Sequence, residues 1–329
     1  MSNLQTPGPW VSGGADDPDQ SAREYTVTAS DGRTIGVAEY GPSDGFPIVG
    51  IHGTPGSRYG GPPPDEPDLY ERLGVRAINF DRAGYGRSTR QPGRAVAAAA
   101  ADVKAIVDHL GIDRFSVTGG SGGGPHCLAV ATLMPERVSR AGCVVGVAPF
   151  GDEGLEQADW LAGMTQGNVD EFTWSLEGET TLRPHLQRLA AEELPKLLVD
   201  PSTALGEDYK LSDGDREIMS RPAFQTRIKR SMQEAYRTGV DGWVDDDLAF
   251  VQPWGFDLSA LQVPTMVWFG VEDTLVPAAH GEWLSANVPG AATVRMTGGH
   301  MELANRVSEL VQWLIGGAMP ADATPGAAS

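Results

Sequence analysis

The stretch VTGGSGGGPH, residues 117–126, sets five glycines around a single serine, Ser121. An apolar, β-branched run precedes it and an apolar helical pattern, CLAVATLM, follows, so the spacing predicts a strand that turns sharply into a helix. Glycine suits places where the backbone takes a conformation closed to side chains, or where two segments approach too closely for a Cβ. Gly119-Gly120-Ser121-Gly122-Gly123 matches G-x-S-x-G, and the strand-to-helix position is the context that motif needs. In such a turn the serine backbone is strained and its hydroxyl is lifted above the sheet edge. The Gly122 amide would point into the same space, and Pro125 in the first helical turn gives up an N–H that has no intrahelical partner. Glycine-rich turns also cradle phosphates. Here, however, the P-loop lysine is missing, as is the acidic residue ~20 positions on that a dinucleotide fold uses; Glu136 comes too early. Ser121 reads as a nucleophile.

Outward from that turn, strand-like and helix-like segments alternate. EYTVTAS (24–30) and RTIGVAEY (33–40) flank Asp31-Gly32, a strong hairpin signal. PIVGIHG (47–53), RAINFDR (76–82), RFSVTGG (114–120), AGCVVGVAP (141–149), TMVWFGVED (265–273) and ATVRMTGG (292–299) complete the strands. Val96, Ala99, Val103, Ile106, Val107 and Leu110 recur at helical spacing, and so do Leu303, Val307, Leu310, Val311 and Leu314. Strands such as IVGI and CVVGV are apolar throughout, as expected of a sheet covered on both faces. The fold class is therefore α/β, with a mostly parallel sheet and an antiparallel start.

Residues 150–261 break the rhythm. They hold no convincing strand and are helical, acidic and rich in aromatics: Trp160, Phe172, Trp174, Tyr209, Phe224, Tyr236, Trp243 and Trp254. Most of these aromatics read as the insertion's own core. The expected division is a core of 23–150 and 262–316, a helical cap of 151–261 over the carboxyl ends of the strands, and poorly ordered segments 1–22 and 317–329.

With 44 acidic against 25 basic residues, the formal net charge is −19, which argues against nucleic acid and anionic membrane as partners. Cys127 and Cys143 both sit in apolar runs and read as buried free thiols. The first 20 residues show neither a basic nor an apolar signal region, and no apolar run reaches the ~18 residues of a membrane span. A soluble, cytoplasmic protein is the expectation.

A serine nucleophile needs a base, and the base needs an orienting acid. Among six histidines, His300 ends MTGGH, straight after the last strand and before the last helix, at the sheet's carboxyl edge. His109 and His126 read as structural, His185 and His280 as solvated, and His52 as a structural hydrogen bonder in its loop. Asp273 leaves the preceding strand; neighbouring Glu272 is turned away by alternation. Asp152 and Glu153, after AGCVVGVAP, are the alternative source of the acid. The order Ser, Asp, His is that of the hydrolase triad. HGTPGSR (52–58) supplies a second loop, whose Thr54 N–H would join the Gly122 N–H as an oxyanion hole, with Pro55 and Gly56 holding the bend.

HGTPGSR, DRAGYGRS (81–88), GGSGG, FGVEDTLVP and GGH together make the chain resemble the capped α/β-hydrolase fold superfamily over residues 24–315. The resemblance implies an eight-stranded sheet with an antiparallel second strand, helices on both faces, and a helical cap inserted after the sixth strand. The HG-x-P loop and DRAGYGRS are similar to the epoxide hydrolase and haloalkane dehalogenase branch, which places an aspartate where Ser121 stands here. Proline iminopeptidases are similar too, but they carry a tryptophan where this chain has Gly122. The resulting expectation is a serine hydrolase acting on a small or medium carboxylic ester, lactones and thioesters included, through an acyl-enzyme on Ser121. Trp243 or Trp254 would wall the pocket, and neither metal nor cofactor is implied. The rivals are carbon–carbon bond hydrolysis, peptidase or perhydrolase chemistry on the same fold, and a non-catalytic ligand-binding member.

Overall fold

The computed structural model of the protein describes residues 22–151, 154–204 and 210–326. Tyr209, Asp152, Glu153 and nearly all of segment 1–22 lie outside the described residues. The strands are β1 (Arg23–Thr28), β2 (Thr34–Tyr40), β3 (Phe46–Ile51), β4 (Val75–Phe80), β5 (Phe115–Gly120), β6 (Val138–Val144), β7 (Thr265–Gly270) and β8 (Ala292–Met296). They form one sheet in the order β1-β2-β4-β3-β5-β6-β7-β8. β2 runs antiparallel to β1 and β4, and the remaining pairs are parallel. From β3 the chain moves to β4 on one side and later returns to β5 on the other. The crevice outside the carboxyl ends of β3 and β5 is thus the switch point at which open α/β sheets bind ligands.

The helices are α1 (Leu69–Leu73), α2 (Ala99–His109), α3 (Gly123–Leu133), α4 (Gln157–Leu161), α5 (Gln166–Glu177), α6 (Glu179–Val199), α7 (Pro201–Ala204), α8 (Asp213–Ser220), α9 (Pro222–Ala235), α10 (Asp241–Phe250), α11 (Ala278–Asn287) and α12 (Val307–Leu314). Alternation along the strands divides the core: Val49 and Val117 face α2, α3 and α11, while Ile48 and Val294 face α1 and α12. Helices α4–α10 all fall between β6 and β7. Leu182, Leu186, Trp243 and Val244 make a separate apolar cluster within them. None of the described helices is long and apolar enough to cross a membrane. Cys127 and Cys143 are free and buried, and burial pushes the Cys143 thiol up to about 12.

Part of the carboxyl-terminal segment departs from the compositional expectation of poor order. Thr324 exchanges two 2.8 Å backbone hydrogen bonds with Thr293 of β8, and Asp322 pairs with Arg306 at 2.7 Å. An available sheet edge orders residues that local composition leaves unspecified.

The cap is tied to the core by buried charge. Asp246 of α10 is fully buried and accepts from Thr54 Oγ1 at 2.6 Å and from the Tyr85 hydroxyl at 2.8 Å. It also pairs with the guanidinium groups of Arg82 and Arg94. Burial alone would raise its carboxyl, but the two arginines outweigh that and hold it well below the usual carboxylate range. A second tie runs through Arg58, fully buried between Asp81 at 2.7 Å and Glu234 of α9 at 2.6 Å. HGTPGSR and DRAGYGRS are therefore one unit: Arg58 pairs with Asp81, and the Arg82 N–H donates to His52 Nε2 at 3.0 Å.

Truncating Asp246 would leave two buried cations without their shared counter-charge. Asp246→Ala should cost about 3–5 kcal/mol of unfolding free energy in a urea titration, as loss of one partner from a buried ion pair does. A loss below about 1 kcal/mol, the range of exposed pairs, would refute the tie.

Candidate active site

Ser121 has φ 53°, left-handed backbone that L side chains rarely adopt, between the end of β5 and the start of α3. Its N–H donates to the Val144 carbonyl at 2.8 Å, and its own carbonyl accepts from Gly124 N–H at 2.8 Å. The close approaches explain the flanking glycines. A methyl on Gly119 would stand 2.1 Å from the Gly123 carbonyl oxygen, and one on Gly123 would stand 2.3 Å from the Ile51 carbonyl at the end of β3. A methyl on Gly122 would meet Thr54 Oγ1 at 2.2 Å and Phe250 of α10 at 3.0 Å. Gly122 is thus small because the HGTPGSR loop and the cap both press on it.

That loop lies directly beside the serine. A methyl on Gly53 would sit 3.8 Å from Ser121 Oγ, and the Thr54–Pro55 peptide is cis. The structure brings Thr54 and Gly122 together, with Thr54 held from behind by Asp246. His52 donates from Nδ1 to the Gly53 carbonyl at 2.7 Å and accepts at Nε2. Burial and the neighbouring Arg82 push its imidazole well below 6.5, so it stays neutral and structural, as its loop position suggests.

His300 follows β8. Its Nδ1–H donates to Asp273 Oδ2 at 2.7 Å, while Asp273 Oδ1 accepts from the amides of Leu275 at 2.8 Å and Val276 at 2.9 Å. Both oxygens of this buried carboxylate are therefore oriented, which leaves His300 Nε2 as the ring's free acceptor. Burial lowers the His300 pKa, but the charge and hydrogen bond of Asp273, with the charge of Asp215, outweigh it, and the net shift is upward from 6.5. Glu272 is exposed, as alternation indicates.

Asp215, at the start of α8, is a site residue the sequence did not reveal. It is buried, and its carboxylate accepts from the backbone N–H groups of His300 at 3.1 Å and Met301 at 2.8 Å. A methyl on Gly299 would stand 1.9 Å from its Oδ2, so the glycine directly before His300 makes room for this cap carboxylate. Locally, Ser212 and Asp215 read as an ordinary helix start, with Ser212 Oγ accepting from Asp215 N–H at 3.0 Å. Its second task depends on a loop about 85 residues away.

The remaining histidines do other work. His126 donates from Nδ1 to the Gly122 carbonyl at 2.8 Å, and burial with nearby Arg82 pushes its imidazole down to about 3. His280, read as solvated, is instead fully buried, spanning Ala148 N–H at 3.0 Å and the Trp160 carbonyl at 2.8 Å. Its helix packs against β7, so a locally polar stretch ends in the core. His185 stacks on Trp174 at 3.9 Å, and His109 is exposed.

Ser121 and His300 line one cavity of about 460 Å³, roofed by Phe224, Ile228, Ser231 and Met232 of α9. Trp243 and Trp254, expected to wall it, do not line it. Trp243 is in the cap's own cluster, its Nε1–H donating to Glu171 at 2.8 Å, and Trp254 packs beside Phe256, buried in the main core. The aromatic contribution comes instead from Phe224, on a face with Arg227, Ile228, Ser231 and Met232, spaced i, i+3, i+4, i+7, i+8.

Comparison with known proteins agrees with this architecture. The alpha/beta hydrolase fold family matches residues 47–302. A non-heme chloroperoxidase of Streptomyces lividans is 38% identical over 277 residues, covering 82% of this chain and 90% of that one. A 2-hydroxymuconate semialdehyde hydrolase of Pseudomonas putida is 29% identical over 253 residues, covering 75% and 78%. Among solved structures, a thermophilic esterase from Thermogutta terrifontis superposes with a TM-score of 0.62 at 20% identity, covering 89% and 98%. The chain belongs to the alpha/beta hydrolase fold family.

Proposed function

We propose that the protein is a serine hydrolase that cleaves a carboxylic ester through an acyl-enzyme on Ser121. Family membership supports a hydrolase in general. The observation that carries the finer reading is the Asp273–His300 hydrogen bond of 2.7 Å, with Nε2 left free, beside a cavity that also receives the strained Ser121. In this reading His300 Nε2 takes the Ser121 hydroxyl proton as Oγ attacks the ester carbonyl. The oxyanion accepts the N–H groups of Gly122 and Thr54, donors of a kind worth about 2.7–4 kcal/mol each in barrier lowering. His300 then hands its proton to the leaving alkoxide. A water, deprotonated by the same nitrogen, attacks the acyl carbon, and the acid leaves as Ser121 Oγ is reprotonated.

The name of the Streptomyces relative favours a second reading of the same site. Hydrogen peroxide in place of water would take the acyl group from Ser121 and leave as a peracid. Both readings share the acyl-enzyme and differ only in its acceptor.

Ser121→Ala should abolish labelling by a fluorophosphonate and lower the kcat for p-nitrophenyl acetate on the order of 10⁶-fold, with the melting temperature unchanged. Undiminished turnover would remove Ser121 from the chemistry. Peracid trapped when hydrogen peroxide is added would select the second acceptor.

The base must be neutral to act, and its pKa is raised, so kcat/KM should climb with pH through a midpoint above 6.5. In Asp215→Asn the amide oxygen still accepts a hydrogen bond while the charge is gone, so the midpoint should move to lower pH with a modest fall in kcat. An unmoved midpoint would show that Asp215 does not act on His300 through its charge.

A further inference from the structure

The cavity does not end at the serine. It continues down one face of the sheet, to Ile48, Ala77 and Val75 on one wall and Leu310 and Leu314 on the other. Parallel sheets are ordinarily covered by helices on both faces. Here the connection from β3 to β4 contains, among its residues, only the five-residue α1 at its far end. Its first half, PGSRYGGPPPDEP (55–67), has five prolines and three glycines, a composition that cannot hold a helix over the sheet.

The strand residues beneath are correspondingly small or polar. Gly50 of β3 pairs in register with Asn79 of β4 on one side and Thr118 of β5 on the other, so the three form one row on one face. All three are partly exposed although they belong to interior strands. Asn79 lies across Gly50, where a methyl would meet its Oδ1 at 2.2 Å, and its Nδ2 is fixed to the Gly60 carbonyl at 2.8 Å. The next row down, Ala77–Ile48–Ser116, is buried, and the Ser116 hydroxyl donates to the Leu314 carbonyl of α12 at 2.7 Å.

Opposite stand Val307, Leu310, Val311 and Leu314 of α12, spaced i, i+3, i+4, i+7, a stripe roughly 10 Å long at 1.5 Å per residue. Apart from Arg227 on the cap side and His300 at the head, the lining carries no charged side chain.

We infer that this passage is a slot for one linear aliphatic chain of the substrate, running from Ser121 between α12 and β3–β5. The inference rests on the serine hydrolase reading and names the substrate class within it: esters with a straight chain of medium length on one side. With C–C bonds of ~1.5 Å and zigzag geometry, about eight carbons span the stripe. Ile48, Val75, Ala77, Leu310 and Leu314 give the slot's deep part apolar walls, and the same cavity receives Ser121, where the scissile carbonyl would stand.

Two substrate series identify which side of the ester enters: p-nitrophenyl esters from acetate to dodecanoate, and n-alkyl acetates from ethyl to dodecyl. In one series kcat/KM should rise about fourfold per methylene up to roughly eight carbons and then level, the ratio that ~0.8 kcal/mol per buried methylene gives. Two plugs should flatten that rise without touching the chemistry: Val307→Trp at the head of the slot and Ala77→Leu lower down. Both variants should keep fluorophosphonate labelling and acetate-ester turnover. A catalysis-independent readout uses n-alkanols: 1-octanol should raise the melting temperature of the wild type far more than ethanol at equal concentration, and the difference should vanish in Val307→Trp. A flat profile in both series, or plugs that leave the rise and the octanol shift intact, overturns the slot. Loss of labelling and of all ester turnover, with the octanol shift preserved, would instead overturn the serine hydrolase reading and leave the slot standing.

Discussion

The structure is organised around a single close approach, where β5, α3 and the end of β3 meet without room for a Cβ. Gly119 abuts Gly123, and Gly123 abuts the carbonyl of Ile51. That packing drives Ser121 into left-handed backbone and sets its side chain at the mouth of the crevice between β3 and β5. The backbone strain, of order 1–3 kcal/mol, is sustained because three elements hold the turn from different sides. The hydrogen bonds from Ser121 N–H to Val144 and from Gly124 N–H to Ser121 anchor it in place.

Around this turn the cap contributes carboxylates rather than a simple lid. Asp246 reaches the loop beside Ser121, Asp215 reaches the backbone of His300, and Glu234 reaches Arg58 beneath the same loop. Each is nearly fully buried and each meets a core donor. The acidity of the chain is thus not only a solvating surface. Because a buried charge is tolerated only with its partner, these contacts fix the cap's position on the core more sharply than apolar packing alone would. They also couple cap placement to the geometry of both HGTPGSR and the His300 loop.

The same economy of cover shapes the sheet's other face. A proline-rich connection in place of a helix leaves Gly50, Asn79 and Thr118 partly exposed, and that connection and α12 both line the space over them. The one cavity therefore has a cap-side part under Phe224, Ile228 and Met232 and a deep part between the sheet and α12.

Local sequence was enough for whatever depends on neighbours along the chain. Alternation and periodicity carried the α/β sheet, G-x-S-x-G carried the turn at Ser121, and alternation separated Asp273 from Glu272. What tertiary structure alone decided were partnerships across long sequence separations. Asp215 looks like a helix-start residue until Gly299, directly before His300, opens a space for it. Trp243 and Trp254 look like pocket walls until the cap's folding turns them into core, leaving Phe224 in their place. His280 looks solvated until its helix is laid against β7. A side chain's local spacing determines which face of its own element it occupies, whereas its partner is determined by which other element packs there, and that choice belongs to the folded chain as a whole.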